Sequence, residues 1–256
     1  MNACILLSAL AIVAADEPWK PSENPDPAKI LQEAQEDRRA ERFEQALDKH
    51  VWYHRNALKH QPAQSGVRRS FALSYWKELA DAYPPALFKL MEIREEAVTN
   101  VSAGQDLRQQ FADLAAMNKY LGEEARTKDV FAMLHTQQPD AAKQVFALAQ
   151  PALVKAKEYR LCGNYLDPDA SSRRLIAMFH TTKRLAKNSP FAERQLDFSN
   201  KKFTNDAATL VALLVVNYRK PEAEKVAQDA KKEWEDAAFH KAVDEALKGN
   251  VPDPWP

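Results

Sequence analysis

The stretch that decides the fold is 114-LAAMNKYLGEEARTKDVFAMLHTQQP-139. Its apolar residues recur three and four positions apart, which predicts amphipathic helices. Gly122 interrupts this pattern and supplies a backbone that turns easily. Pro139 marks the end of the second helical segment. We therefore expect two antiparallel helices here, at about 106–120 and 123–137.

A second stretch, 76-WKELADAY-83, spaces its large side chains in the same way. Taken together, the two stretches contain a large residue, then Leu-Ala, an aromatic residue, a small residue four positions before a phenylalanine, and a closing proline. In this order they resemble the tetratricopeptide repeat, a unit of two antiparallel helices. The residues that carry the resemblance are Trp76, Leu79, Ala80, Tyr83, Leu114, Ala115, Gly122, Thr127, Phe131, Leu134 and Pro139.

The resemblance implies an all-α fold, a right-handed solenoid of antiparallel helix pairs that forms one domain over residues 28–248. Pairs stack because one pair cannot bury its apolar face alone. The run Leu210–Val216 is entirely apolar and is compatible with a strand. We interpret it as a buried helix, since it lies inside a longer helical pattern. The same periodicity predicts further helices at 28–39, 43–61, 67–83, 86–98, 171–187, 206–218 and 222–247.

Residues 1–15 are typical of a signal peptide. Ala3–Ala14 is an apolar run without charge, and Val13-Ala14-Ala15 offers small residues before Asp16. The run is shorter than the roughly 20 residues that span a bilayer. No Lys or Arg precedes it, and a buried N-terminal helix is the alternative. We expect export, to the periplasm or the medium, with no membrane insertion after removal of the signal.

Proline-rich segments flank the predicted helices. Residues 16–27 form a lead-in and residues 249–256 a tail, and both are expected to be extended and exposed to solvent. Removal of the signal would take away Cys4 and leave Cys162 as a lone cysteine, so no internal disulfide is expected. A lone cysteine is more often a small buried apolar residue than a reactive thiol.

The charge of the chain is balanced, with 36 Lys plus Arg and 36 Asp plus Glu. A nucleic-acid-binding protein usually shows a basic excess or a basic stripe. We therefore expect no nucleic-acid partner. The five glycines are isolated from one another and form no phosphate-binding loop. No Gly-x-Ser-x-Gly elbow for serine catalysis is present, and we expect no cofactor.

His50 and His54 are the strongest candidates for chemistry, because residues four apart share one helix face and could bind zinc together. Val51 follows His50, where a His-Glu-x-x-His metalloprotease has its glutamate. A zinc-dependent enzyme is therefore the weakest alternative. We expect no bound metal. We interpret both imidazoles as part of a polar surface face, whose removal would leave folding nearly unchanged.

The aromatic residues are densest between Trp52 and Tyr83. We expect Trp76 and Tyr83 to pack between helices, as the repeat pattern requires. Tyr53 and Tyr75 are less constrained by the pattern, and we interpret them as candidates for contact with a ligand. At helical spacing, aromatic residues usually belong to the core.

The leading hypothesis is a non-enzymatic scaffold that binds a peptide or a folded protein partner on the concave face of the solenoid. Ala112 and Ala116 stand where the carboxylate-binding members of the family have Lys and Asn, which argues against recognition of a C-terminal carboxylate. The alternative is a self-associating structural subunit of an envelope assembly. The side chains that the resemblance presents toward the groove are Gln35, Arg38, Lys77, Asp81, Gln109, Lys119, Tyr120 and Gln150.

Overall fold

The computed structural model describes residues 19–187 and 189–255, and within these ranges the chain contains helices and no strand. The predicted all-α class is thereby confirmed. The predicted signal peptide lies outside the described residues. Thirteen α-helices and one 3₁₀ turn (Pro62–Gln64) are present in the described part. The helices are α1 Pro27–Arg39, α2 Phe43–His60, α3 Ser65–Arg68, α4 Phe71–Ala82, α5 Pro84–Ser102, α6 Leu107–Leu121, α7 Glu124–Gln137, α8 Pro139–Lys155, α9 Tyr159–Gly163, α10 Pro168–Ala186, α11 Ala192–Val216, α12 Lys220–Glu233 and α13 Ala237–Ala246.

The chain divides into two compact units, and the boundary follows Met91, inside α5. In the first unit, α1 packs against α2, and both contact α4. Trp76 lies at the centre of this unit with 1% of its surface exposed. Its indole Nε1 donates a hydrogen bond to the carbonyl oxygen of Ala86 at 2.9 Å. The prediction that Trp76 belongs to the core is confirmed.

The second unit is built from successive helix contacts. Helix α6 packs against α7, and both contact α8; farther along, α10, α11 and α12 contact one another, and α13 packs on α11. Phe131 and Leu134, which carry part of the repeat pattern, are fully buried. The residues from Ala207 to Leu214 are buried in an unbroken run within α11. The interpretation of Leu210–Val216 as a buried helix is thus confirmed.

One turn geometry recurs at five helix junctions in the described part of the chain. Gly104 and Gly122 have φ of 71° and 72°, and Glu41, Lys157 and Tyr218 have φ between 60° and 62°. At each junction an N–H bonds back to the carbonyl five residues earlier, which satisfies an otherwise unpaired carbonyl at the helix end. These bonds join residues 42 and 37, 105 and 100, 123 and 118, 158 and 153, and 219 and 214. At two of the five junctions, Gly104 and Gly122, the residue type is the one that this backbone favours.

Two predicted helices have different boundaries in the structure. Helix α11 begins at Ala192 instead of residue 206, and its first half packs on α10 through a stacked pair, Phe203 on Phe179. The single helix predicted over 222–247 is wrong, because the chain is extended at Trp234 and two helices result. Asp236 starts the second of them by accepting a hydrogen bond from the Phe239 N–H.

None of the helices in the described ranges is both long enough and apolar enough to cross a bilayer.

Candidate functional site

The eight side chains predicted to face a ligand are divided between the two units. Gln35, Arg38, Lys77 and Asp81 lie on α1 and α4, and Gln109, Lys119, Tyr120 and Gln150 lie on α6 and α8. Most of them are exposed or half-buried, but Gln35 is only 7% exposed. Burial raises the pKa of the half-buried Tyr120 phenol.

Three of these side chains in the first unit form ion pairs. Arg38 Nη2 lies 2.9 Å from Glu78 Oε2 and links α1 to α4. Lys77 pairs with Asp81 one turn farther along α4. Pairs of this kind at a surface contribute roughly 0–1 kcal/mol to stability. They leave this edge of α4 balanced in charge.

A cavity of about 360 Å³ lies beside α1 in the first unit. Leu31, Val67, Phe71 and Tyr75 provide its apolar walls, and Gln35 is at its polar side. The Gln35 Nε2 has no hydrogen-bond partner among the described residues. Tyr75, which the sequence made a candidate for contact with a ligand, therefore lies in the wall of a cavity.

Tyr53 does not. Its side chain is 1% exposed and belongs to the small core cluster with Leu31 and Ala57. Its hydroxyl donates to Gln64 Oε1 at 2.9 Å, and burial raises the pKa of Tyr53 to about 12. The expectation that Tyr53 is available to a ligand is wrong, because α2 turns this face toward the interior.

The interpretation of His50 and His54 as surface residues is also wrong. They are 1% and 8% exposed, and both rings contact the Trp76 indole, with centroid distances of 5.5 and 6.2 Å. His54 Nε2 lies 3.2 Å from Arg68 Nη2, whereas neither ring nitrogen of His50 has a partner in the described part of the chain. Removal of these side chains is therefore a change to the core.

The surroundings of the two imidazoles favour their neutral form. Burial, followed by the Arg38 guanidinium, lowers the pKa of His50 from 6.5 to about 3. Burial, followed by the guanidinium groups of Arg68, Arg55 and Arg69, lowers the pKa of His54 to about 3. A divalent cation would meet the same positive charges. No group of three or more His, Cys, Asp or Glu side chains that could hold a metal ion occurs among the residues described.

The second unit contains a larger cavity, of about 460 Å³, between α8, α10 and α11. Gln150, one of the predicted groove residues, is in its wall together with Leu148, Leu175 and Met178. Such a combination of apolar walls with a few polar groups is the usual composition of a ligand site. We call this space the α8–α10–α11 cavity.

Several polar groups in the wall of the α8–α10–α11 cavity are available for an additional contact. Arg174 forms no ion pair within the described residues, while Lys202 is paired with Asp206 at 2.8 Å. Thr209 is 8% exposed, and its hydroxyl has no hydrogen-bond partner in the described ranges. A buried hydroxyl without a partner costs about 1–3 kcal/mol. The cavity can therefore offer both a cation and a hydroxyl to a ligand.

The segment that follows α13 lies beside this cavity. We call Pro252–Trp255 the Pro-Trp segment; it has no regular secondary structure, and only Asp253 in it is exposed. Asn205 on α11 donates from Nδ2 to the Asp253 carbonyl at 2.7 Å and accepts from the Trp255 N–H at 3.1 Å. The expectation of a solvent-exposed tail is wrong for these residues, because one side-chain amide fixes their backbone on α11.

Trp255 separates two cavities. It is in the wall of the α8–α10–α11 cavity and also of a second one, of about 490 Å³, next to Trp234 and Phe239. The Trp255 ring meets the half-exposed Phe198 ring edge-on, with centroids 6.4 Å apart. The buried Trp255 Nε1 has no acceptor among the described residues. We call the surface of α11 on which the Pro-Trp segment lies the groove. The segment occupies this groove and leaves the two cavities beside it unfilled.

No family model, no curated protein and no solved structure matches this chain.

Sequence reasoning identified Gln150 but missed the groups that surround it. Arg174 and Thr209 come from helices distant in sequence, so no local motif brings them together. Trp255 did carry a signal, because a tryptophan between two prolines in 252-PDPWP-256 is an expensive residue to leave in water.

Proposed function

We propose that this chain is a non-enzymatic scaffold that binds an extended peptide segment of a partner protein in a groove between its helices. It needs no cofactor. We further propose that the helix pairs form a right-handed solenoid of the tetratricopeptide type. The protein would be exported to the periplasm or the medium, where the partner would be met.

The solenoid proposal is supported by the order of helix contacts within each unit. Helices contact their neighbours and next neighbours in the chain, as in α6, α7 and α8, and repeat stacks are built from such contacts. Two of the recurring turn bonds have their accepting carbonyls at residues 118 and 153. This spacing is close to the period of about 34 residues of the tetratricopeptide repeat.

The observation that carries the binding proposal is the irregular backbone held on α11. Asn205 makes two hydrogen bonds to main-chain atoms of the chain's own Pro-Trp segment, which supports the proposal that this surface binds peptide backbone. The adjacent α8–α10–α11 cavity adds apolar walls and the Arg174 guanidinium. Apolar pockets beside main-chain hydrogen bonds are the means by which peptide-binding proteins combine affinity with specificity.

Selection of peptides on the purified full-length chain tests the proposal. Random peptides displayed on phage should yield binders, and Met178→Asp should weaken them about tenfold or more, because it places a charge in the cavity wall. Met178 is 55% exposed, so the substitution should not disturb the core. Ala177→Asp is the matched control, since Ala177 is an exposed neighbour on α10. Failure to select any binder, or equal binding by both variants, would contradict the proposal.

Self-association is the second candidate function, favoured by exposed apolar side chains on α10, on α11 and at the residue that precedes α11. Leu185, Phe191 and Phe198 are 67%, 65% and 52% exposed, and large exposed apolar groups often mark interaction surfaces. Size-exclusion chromatography with light scattering distinguishes the candidates. A stable oligomer that is lost in Leu185→Glu, in a chain that binds no selected peptide, would favour a structural subunit.

A further inference from the structure

We propose that the groove on α11 is specific for a segment in which a tryptophan follows Pro-x-Pro, and that the chain's own Pro-Trp segment occupies this site until a partner displaces it. The inference rests on the proposed peptide-binding function and names the class of ligand and its internal competitor. The occupant already on the groove shows which chemistry the site accepts.

The first argument concerns the backbone. Asn205 offers one donor and one acceptor, and these pair with the carbonyl of Asp253 and the N–H of Trp255. Two hydrogen bonds of this kind recognise main-chain atoms whatever the side chains are, as the hydrogen bonds between neighbouring strands of a sheet do. Pro252 and Pro254 restrict φ to about −65° and so reduce the entropy lost when the segment is bound.

The second argument concerns the side chain that gives specificity. Trp255 has an apolar neighbour in Phe198 on one side and lies between two cavities. A tryptophan can bury about 150–250 Å² and usually finds a partner for its indole N–H. In the groove, however, Nε1 is buried without an acceptor. The internal segment therefore lacks an interaction that a partner's tryptophan could make.

Two buried polar groups lie in the walls of the cavities on the two sides of Trp255. Thr209 lines the α8–α10–α11 cavity and Asn200 lines the cavity on the other side of Trp255. The Thr209 hydroxyl and Asn200 Oδ1 are both buried without partners in the described residues. Either oxygen could accept a hydrogen bond from an indole seated more deeply. A partner segment would gain this bond, and the internal segment would return to solvent.

The internal segment also explains how strongly a partner must compete. A tethered ligand behaves as if present at a concentration on the order of millimolar. The apparent affinity of a free peptide falls in proportion to the fraction of sites left open. Removal of the internal tryptophan should therefore expose the site and strengthen binding of a free peptide with the same sequence.

The test uses a fluorescently labelled, capped peptide of residues 250–255, NVPDPW, and full-length protein. Trp255→Ala removes the anchoring ring and so partly vacates the groove, and we expect this variant to bind the peptide about tenfold or more tightly than the wild type. A peptide with alanine in place of tryptophan should not bind. Adding Asn205→Ala to Trp255→Ala should abolish most of the gain, whereas adding the control Gln228→Ala, at an exposed position on α12, should not.

A second vacated form guards against misfolding of the first. Deletion of residues 252–256 keeps Val251, which packs against the core of the second unit, and removes only the segment in the groove. Both forms are first checked by thermal melting. The inference is overturned if the folded vacated proteins fail to bind NVPDPW, or if they bind the alanine peptide equally well.

Failure of this inference and failure of the proposed function give different results. If phage-selected peptides bind the wild type, are weakened by Met178→Asp, and are neither competed by NVPDPW nor affected by Asn205→Ala, the scaffold function stands and the tryptophan specificity does not. If no peptide is selected and NVPDPW does not bind either vacated form, both fail.

Discussion

The two buried histidines should make the first unit unstable in mild acid. In the unfolded chain both titrate near 6.5, whereas in the folded chain burial and the neighbouring guanidinium groups lower the pKa of His50 and of His54 to about 3. Between these values the unfolded state binds protons that the folded state does not. The free energy of the unfolded state therefore falls relative to that of the folded state as the pH decreases, and the protein becomes less stable.

The magnitude follows from linkage. Each pH unit inside this window changes the free energy of unfolding by about 1.4 kcal/mol for each histidine. From pH 6.5, where an unfolded histidine is already half protonated, to pH 5.0 the loss is roughly 1.5–2 kcal/mol for each side chain and about 3 kcal/mol for both. The loss continues toward pH 3 and stops below it, where both states are protonated. It is large beside a typical total stability of about 5–15 kcal/mol.

Urea unfolding at a series of pH values, followed by tryptophan fluorescence, measures this loss. His50→Phe keeps a ring against Trp76, and His54→Gln keeps an acceptor for Arg68. The double variant should lack the acid loss between pH 6.5 and 5.0, and His50→Phe alone should remove half of it. His60→Gln, an exposed position on α2, is the control. If wild type and double variant lose the same stability to within about 0.5 kcal/mol, the reasoning is refuted.

Three further predictions concern the core and the start of the chain. Trp76→Ala should lower the free energy of unfolding by about 3–5 kcal/mol, because it removes a fully buried ring with a hydrogen bond to Ala86; a loss under about 1 kcal/mol in chemical denaturation would contradict this. Cys162 is fully buried, and burial raises the pKa of its thiol to about 12, so it should react with a disulfide reagent only after urea unfolding, and rapid reaction of the native protein would contradict that. Sequencing of protein from the native host should find a first residue at or next to Asp16, and an intact Met1 in a cytoplasmic fraction would disprove export.

Most helices were predictable because their signals are local. The Gly122 turn shows this best: a glycine between two amphipathic segments predicted a turn there, and the structure has one, with a φ of 72° at Gly122. The break at Trp234 was missed because Asp236 caps α13 in a stretch whose apolar spacing continues on both sides. Periodicity records which residues are apolar, but it does not record where a short side chain competes for the backbone.

The candidate site was only partly predictable. Gln150 and Tyr75 line cavities as side chains of amphipathic helices should. His50, interpreted as a surface residue, and Tyr53, a candidate for contact with a ligand, both lie in the core. A histidine four residues from another looks polar in sequence. Its burial depends on the Trp76 indole contributed by a different helix.

The sequence by itself determined that this chain is helical, where most helices lie and that Trp76 is buried, since spacing, turn residues and side-chain volume act over one or two turns of backbone. Only the tertiary structure decided that two histidines share a core with guanidinium groups and that Asn205 holds the Pro-Trp segment on α11. Those properties depend on residues from different parts of the chain, such as His54 and Arg68 at 14 positions apart or Asn205 and Trp255 at 50, meeting in space. No local pattern records such a meeting, because burial and hydrogen bonding depend on what the other helices place opposite each side chain.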